Sequence, residues 1–147
     1  MMRTMRHLLF LIFFYSSFCT AADWQAVSPE NGNGTSFFID MDSVAEDGQF
    51  TRAWTMESRK KPKTVTFRNK SVKYQSYVAL RFFDCTGGRS AIVKGTFYTL
   101  PKGKGDVLHN FSLALTSGLF AAVTPDSMGE ALLETACDHL AKRKIQT

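Results

Sequence analysis

The alternation of apolar and polar residues along the chain predicts several β-strands followed by one helix. Alternation is clearest in residues 49–58, where Phe50, Trp54 and Met56 share one face and polar side chains occupy the other. Residues 74–85 carry apolar side chains on both faces, which is typical of a central strand that is covered on both sides. Further strands are predicted at residues 23–27, 37–39 and 90–100.

Turn-forming residues separate these strands. Gly, Pro, Asn and Asp are concentrated in residues 28–35, 40–48, 86–89 and 101–105. Because only a tight turn divides residues 74–85 from residues 90–100, these two strands are predicted to form a hairpin. Residues 107–115 fit either a strand or a helix, and residues 59–73 are interpreted as a basic connector that contains Pro62.

The last predicted element is an amphipathic helix. Ser127 is followed three residues later by Glu130, a capping box in which each side chain satisfies a backbone N–H group at the start of the helix. Apolar residues then recur at three- and four-residue spacing, which predicts a buried stripe. The stripe consists of Leu132, Leu133, Ala136, Cys137 and Leu140. Lys142, Arg143 and Lys144 follow at the C-terminal end, where the helix dipole favours cations. The predicted fold class is therefore α+β, an antiparallel meander with a C-terminal helix.

The N-terminus has the layout of a secretory signal peptide over residues 1–22. Arg3 and Arg6 precede an apolar run, and small or polar residues close the segment. Cleavage there would leave residues 23–147 as a single domain. A membrane anchor is the alternative, but a spanning helix needs about 20 apolar residues, more than this run contains.

The cysteines indicate an oxidising cellular compartment. Cys19 lies inside the predicted signal peptide, and the bulky Phe18 before it disfavours lipid attachment there. Cleavage would leave Cys85 and Cys137, and an even pair in an oxidising compartment predicts one structural disulfide. The alternative is two free, buried thiols. A disulfide would join the end of the strongest predicted strand to the inner face of the helix.

The charge of the chain is mildly basic, with 18 Lys and Arg against 13 Asp and Glu. This balance is far from that of a typical nucleic-acid-binding domain. The connector at residues 59–73 is basic throughout and holds no acidic residue. Its cations are predicted to contact acidic glycans, lipid head groups or an acidic protein face, with a solvated loop as the alternative. They are Arg59, Lys60, Lys61, Lys63, Arg68, Lys70 and Lys73.

No local motif indicates catalysis or metal binding. Asp40, Asp42 and Asp47 do not have the spacing of an EF-hand loop, and His109 and His139 do not form a recognisable metal pair. A nucleophile elbow, a phosphate loop and a His-Glu zinc motif are all missing from the sequence. We therefore expect a non-enzymatic protein without cofactor, metal or nucleic-acid partner, although catalytic groups can also be dispersed along a chain.

The order and spacing of several short motifs resemble the surface-adhesin protein E family of small exported bacterial proteins. The resemblance covers residues 24–138, and its most specific part is the ending FAAVTPDSMGEALLETACD. The other matching positions are Trp24, the turn at 40–48, Trp54, Tyr74, Ser76, Asp84, Cys85, Pro125, Ser127 and Cys137.

The resemblance implies an antiparallel sheet with a C-terminal helix tied to it by a disulfide. It also implies binding of host extracellular-matrix or plasma proteins. We accordingly predict an exported protein of the bacterial periplasm or outer-membrane surface, with no transmembrane segment after signal cleavage. The alternatives are a periplasmic accessory protein that stabilises or inhibits an envelope partner, and a periplasmic enzyme.

Overall fold

A computed structural model describes residues 22–28, 32–67 and 69–146 of the protein. Residues 1–21 of the predicted signal peptide and Arg68 of the basic segment lie outside the described residues. The strands are β1 (Trp24–Ala26), β2 (Thr35–Asp40), β3 (Ala45–Asp47), β4 (Phe50–Phe67), β5 (Lys70–Asp84), β6 (Arg89–Leu100), β7 (Lys104–Ser112) and β8 (Ala121–Ala122). The helix is α1 (Met128–Ile145), and short 3₁₀ turns lie at Met41–Ser43 and Ser117–Leu119.

The strands form one antiparallel sheet in the order β1-β2-β4-β5-β6-β7, which confirms the predicted fold class. β3 pairs with the start of β4, and β8 pairs with the start of β6. The predicted β5–β6 hairpin is present, with Asp84 opposite Arg89. The ambiguous segment at 107–115 contributes its first part to strand β7, which ends at Ser112.

The segment at residues 59–73 is not a connector, which corrects the interpretation made from the sequence. β4 continues to Phe67 and β5 begins at Lys70, so the segment is a two-stranded hairpin arm. Pairing shifts between Ser58 and Lys63, because residues 59–62 lie opposite a single residue of β5. Pro62 lies in this irregularity, where its missing N–H group does not interrupt a regular ladder.

The helix packs across one face of the sheet and closes the main core. Leu132, Leu133 and Ala136 are buried there against sheet residues that include Ile39 and Phe83. Cys137 and Leu140 pack at the margin of the same cluster, so the predicted apolar stripe is confirmed. The predicted disulfide is also present, with a Cα–Cα distance of 5.9 Å between Cys85 and Cys137.

The helix begins at Met128, directly after the predicted cap. Ser127 Oγ accepts a hydrogen bond from the backbone N–H of Glu130 at 3.3 Å. The Glu130 carboxylate accepts from the backbone N–H of Asp126 at 2.7 Å, one residue before the position that the capping box predicts. Both side chains therefore satisfy backbone donors at the start of the helix.

A second core lies between the hairpin arm and strands β6 and β7. Val72, Tyr74 and Phe97 are buried in it, and the ring of Phe67 stacks on His109 with centroids 4.6 Å apart. The arm therefore folds back over strands β6 and β7. At Gly95 an added Cβ would lie 2.5 Å from the ring of Phe111, so this packing requires a glycine.

Candidate ligand-binding surface

The hairpin arm distributes its cations over two faces. Cross-strand partners in an antiparallel ladder share a face, and Lys63 is paired with Tyr74 while Lys70 is paired with Phe67. These two lysines therefore belong to the face that carries the second core. Lys73 is paired with Thr64 on the opposite face. The predicted basic run thus forms more than one surface.

The base of the arm brings part of the run together. Arg59, Lys60, Lys61 and Lys63 line a groove of about 600 Å³ that is bounded on its other side by residues 32–34. The N–H of Lys60 donates to the carbonyl of Gly34 at 2.9 Å, which holds the irregular stretch of β4 against that loop. Lys70 and Lys73 do not line this groove.

A lysine from another part of the chain extends the same surface. Lys102 lines an adjoining groove of about 320 Å³, which shares Gly34, Arg59 and Lys60 with the first. The backbone N–H of Lys102 donates to Ser58 Oγ at 3.1 Å, and that of Gly103 donates to Ser76 Oγ at 2.9 Å. These bonds fold the β6–β7 turn against the base of the arm. We call the two adjoining depressions together the basal groove.

Sequence reasoning missed Lys102, because it lies in a predicted turn that carries no local sign of binding. The two serines that fix the turn are a weak sequence signal that another segment docks there. Ser58 and Ser76 face each other across β4 and β5, and both are buried within strands that are rich in apolar residues. Buried hydroxyl groups need hydrogen-bond partners, and the turn supplies them.

One member of the predicted set is already engaged in an ion pair. Arg59 Nη1 donates to Glu57 Oε1 at 2.7 Å, and the hydroxyl of Tyr74 donates to the same oxygen at 3.1 Å. Burial, with the negative charge of Glu57, raises the pKa of Tyr74 to about 12. Arg59 is thus half-buried and structural, whereas the lysines of the basal groove are exposed.

Polar side chains of the sheet near Glu57 lie under the helix. Arg81 Nε donates to Thr55 Oγ1 at 3.1 Å beside a cavity of about 50 Å³. Burial lowers the pKa of Arg81 and raises that of Tyr77 to about 12. A cavity of this size accommodates water rather than an organic substrate.

Two of the three aspartates in the turn at residues 40–48 have other partners. Asp40 Oδ1 accepts from the backbone N–H of Asp23 at 3.0 Å, and the carboxylate of Asp47 lies 3.5 Å from Arg52 Nε. Within residues 22–28, 32–67 and 69–146, no three His, Cys, Asp or Glu side chains converge in a way that would hold a metal ion. His109 is stacked on Phe67, in the second core.

A family model described as surface-adhesin protein E matches residues 24–138. The chain belongs to the surface-adhesin protein E family. The resemblance inferred from the sequence is confirmed. Surface adhesins act by binding, so membership agrees with the non-enzymatic expectation.

Solved structures of Haemophilus influenzae protein E share the fold of this family member. A selenomethionine form has a TM-score of 0.53 and 16% identity, covering 81% of this chain and 88% of the other. A second structure has a TM-score of 0.52 and 19% identity, covering 78% and 83%. No curated protein matches the chain. In the part of the chain that the structure describes, no helix is long and apolar enough to cross a membrane.

Proposed function

We propose that this protein is an exported bacterial adhesin that binds a host extracellular-matrix or plasma protein through its basic hairpin arm. The observation that carries the proposal is a dense set of cations on a paired, two-stranded element, in a member of a surface-adhesin family. The proposed contact residues are Lys60, Lys61, Lys63, Arg68, Lys70 and Lys73 of the predicted set, while Arg59 supports the base of the arm through its ion pair with Glu57.

Export through a signal peptide at residues 1–22, which leaves the domain at 23–147, is part of the proposal. The Cys85–Cys137 disulfide supports it, because such bonds persist in oxidising compartments outside the cytoplasm. Display on the outer surface is the location that an adhesin requires. Protease treatment of intact cells tests this point, since a surface protein is digested and a periplasmic one is protected until the cells are permeabilised.

The proposed contact is electrostatic and non-covalent. Exposed lysines attract an acidic partner over about one Debye length, roughly 8 Å at physiological salt. Each exposed ion pair contributes at most about 1 kcal/mol, so affinity depends on several lysines acting together. No catalytic step is required.

Binding of the purified protein to immobilised matrix and plasma proteins tests the arm. The test variant is Lys61→Ser with Lys63→Ser, and the matched control is Lys94→Ser with Lys142→Ser, which removes the same charge from exposed positions elsewhere. We expect about a tenfold loss of affinity in the test variant alone, and a smaller difference at high salt.

Equal losses in both variants would mean that net charge, and not the arm, determines binding. Unchanged and salt-insensitive binding in the test variant would exclude the arm as the contact. Circular dichroism and thermal unfolding of each variant confirm that the fold is retained.

A further inference from the structure

We propose that the basal groove binds a linear sulfated polysaccharide, with Lys60 and Lys102 as paired cationic contacts. This inference rests on the proposed adhesin function and deepens it, because it names the polysaccharide chains of matrix proteins as the chemical class that the base of the arm contacts. It also moves the centre of the binding surface from the outer arm to its base.

Lysines line both depressions of the basal groove. Lys61 and Lys63 line the first depression, Lys102 lines the second, and Lys60 lines both. Apart from Arg59, the other described lining residues are small or neutral, and no described residue that lines the groove is acidic. They are Gly32, Asn33, Gly34, Ser36, Phe38, Ser58, Pro62 and Pro101. A row of cations fits a chain that carries anionic groups at regular intervals.

The lysines of the groove suit the tetrahedral oxyanion of a sulfate group. A lysine ammonium acts as a point charge that binds such an oxyanion without a fixed planar geometry, as lysines do in phosphate sites. Arg59 also lines the groove, but it is half-buried and its Nη1 donates to the carboxylate of Glu57 at 2.7 Å. The exposed cations among the described lining residues are therefore lysines.

The shape of the lining also favours a polysaccharide over a peptide. Protein partners gain most of their affinity from apolar or aromatic side chains that enter well-packed pockets. Phe38 is the single aromatic residue among the described residues that line the groove, and the remainder are small, polar or proline. Stacking of nucleic-acid bases likewise needs a series of aromatic rings.

The backbone around Lys60 and Lys102 is held in place before any ligand binds. Lys60 is bonded through its N–H to Gly34, and Lys102 through its N–H to Ser58. The adjacent bond from Gly103 to Ser76, itself a fully buried residue, fixes the turn. Such preorganisation lowers the entropic cost of binding.

Heparin, a sulfated polysaccharide, is the probe for a titration with the purified protein at physiological salt. The test variant is Lys60→Ser with Lys102→Asn, where asparagine tolerates the positive φ of 58° at position 102. The matched control is Lys94→Ser with Lys142→Ser, which removes the same charge from exposed positions outside both the arm and the groove. A third variant, Lys60→Arg with Lys102→Arg, retains the charge.

We expect the Kd for heparin to rise about tenfold in the test variant and less than about threefold in the control. The arginine variant is expected to bind like the wild type. Desulfated heparin and poly-glutamate are expected to compete poorly with heparin.

Three results would overturn the inference: no binding of heparin by the wild type, equal losses in the test and control variants, or equal competition by poly-glutamate. The adhesin proposal is judged separately, by adhesion to matrix proteins from which the polysaccharide has been removed enzymatically. Adhesion of the wild type to these proteins without any binding of heparin would contradict the polysaccharide site alone. Heparin binding without adhesion to any host protein would contradict the adhesin proposal alone.

Discussion

Glu57 joins the hairpin arm to the body of the sheet through two hydrogen bonds. Its carboxylate accepts from Arg59 and from the hydroxyl of Tyr74, which is 4% exposed. The ring of Tyr74 meets Phe97 edge-on with centroids 4.9 Å apart, and Tyr77 stacks on the same ring at 4.3 Å. The position of the arm therefore depends on a few aromatic and charged side chains at its base.

The two tyrosines are expected to make folding stability sensitive to alkaline pH. Their pKa values are about 12 in the folded protein and about 10 in the unfolded chain, so the folded state binds more protons between these values. Their contribution is fully present below pH 10 and is lost as the pH rises towards 12. We expect the free energy of unfolding to fall by about 2 kcal/mol between pH 9 and pH 11, as measured by urea unfolding.

Tyr74→Phe is the control for this prediction. The variant removes one of the two titrating groups, so its unfolding free energy should fall by about 1 kcal/mol less over the same range. At neutral pH it should be less stable than the wild type by about 1 kcal/mol, because the bond to Glu57 is lost. An identical pH dependence in both proteins would contradict the assignment to Tyr74.

The helix shows how local signals and packing act together in a single element. Ser127 caps its first turn, and Leu132, Leu133 and Ala136 bury its inner face. Its last turn is held by Arg143 Nη1, which donates to the carbonyl of Val44 at 2.9 Å. The helix is therefore fixed at both ends as well as along its apolar stripe.

Replacement of Ser127 by Ala is expected to destabilise the protein by about 1 kcal/mol, because the N–H of Glu130 loses its side-chain acceptor. Ser127→Asp keeps an acceptor at the cap and should retain most of the stability. Chemical unfolding of the three proteins measures the difference. Equal unfolding midpoints for the Ala and Asp variants would show that the cap contributes little.

At the scale of the whole molecule, the disulfide links the helix to the sheet and closes a long loop of the chain. Cys85 follows β5 and Cys137 lies on α1, 52 positions apart in the sequence. A crosslink over a loop of this length restricts the unfolded chain and stabilises by about 4 kcal/mol in the chain-entropy model. This is a large share of the roughly 5–15 kcal/mol that small domains possess.

Replacement of both cysteines by serine is therefore expected to lower the free energy of unfolding by up to about 4 kcal/mol. The double variant leaves no single thiol in this pair to form a wrong bond. Reductant should lower the stability of the wild type towards that of the variant and leave the variant unchanged. If the two proteins unfold alike without reductant, the disulfide does not stabilise the fold.

Local sequence signals determined most of the elements and the main covalent link. Strand alternation, the Ser127 cap and the apolar stripe depend on residues a few positions apart, so they are visible without a structure. The disulfide was also predictable, because only two cysteines remain after the predicted signal peptide. Likewise, the family could be inferred from the order of short motifs.

Only the tertiary structure decided how the basic residues are arranged. The arm was mistaken for a connector because Pro62 and the shift between Ser58 and Lys63 interrupt the strand pattern. The pairing register then separates Lys73 from Lys63 and Lys70, while a turn held by buried serines brings Lys102 to the basal groove. Register and turn docking depend on contacts between distant parts of the chain, and local sequence does not encode them.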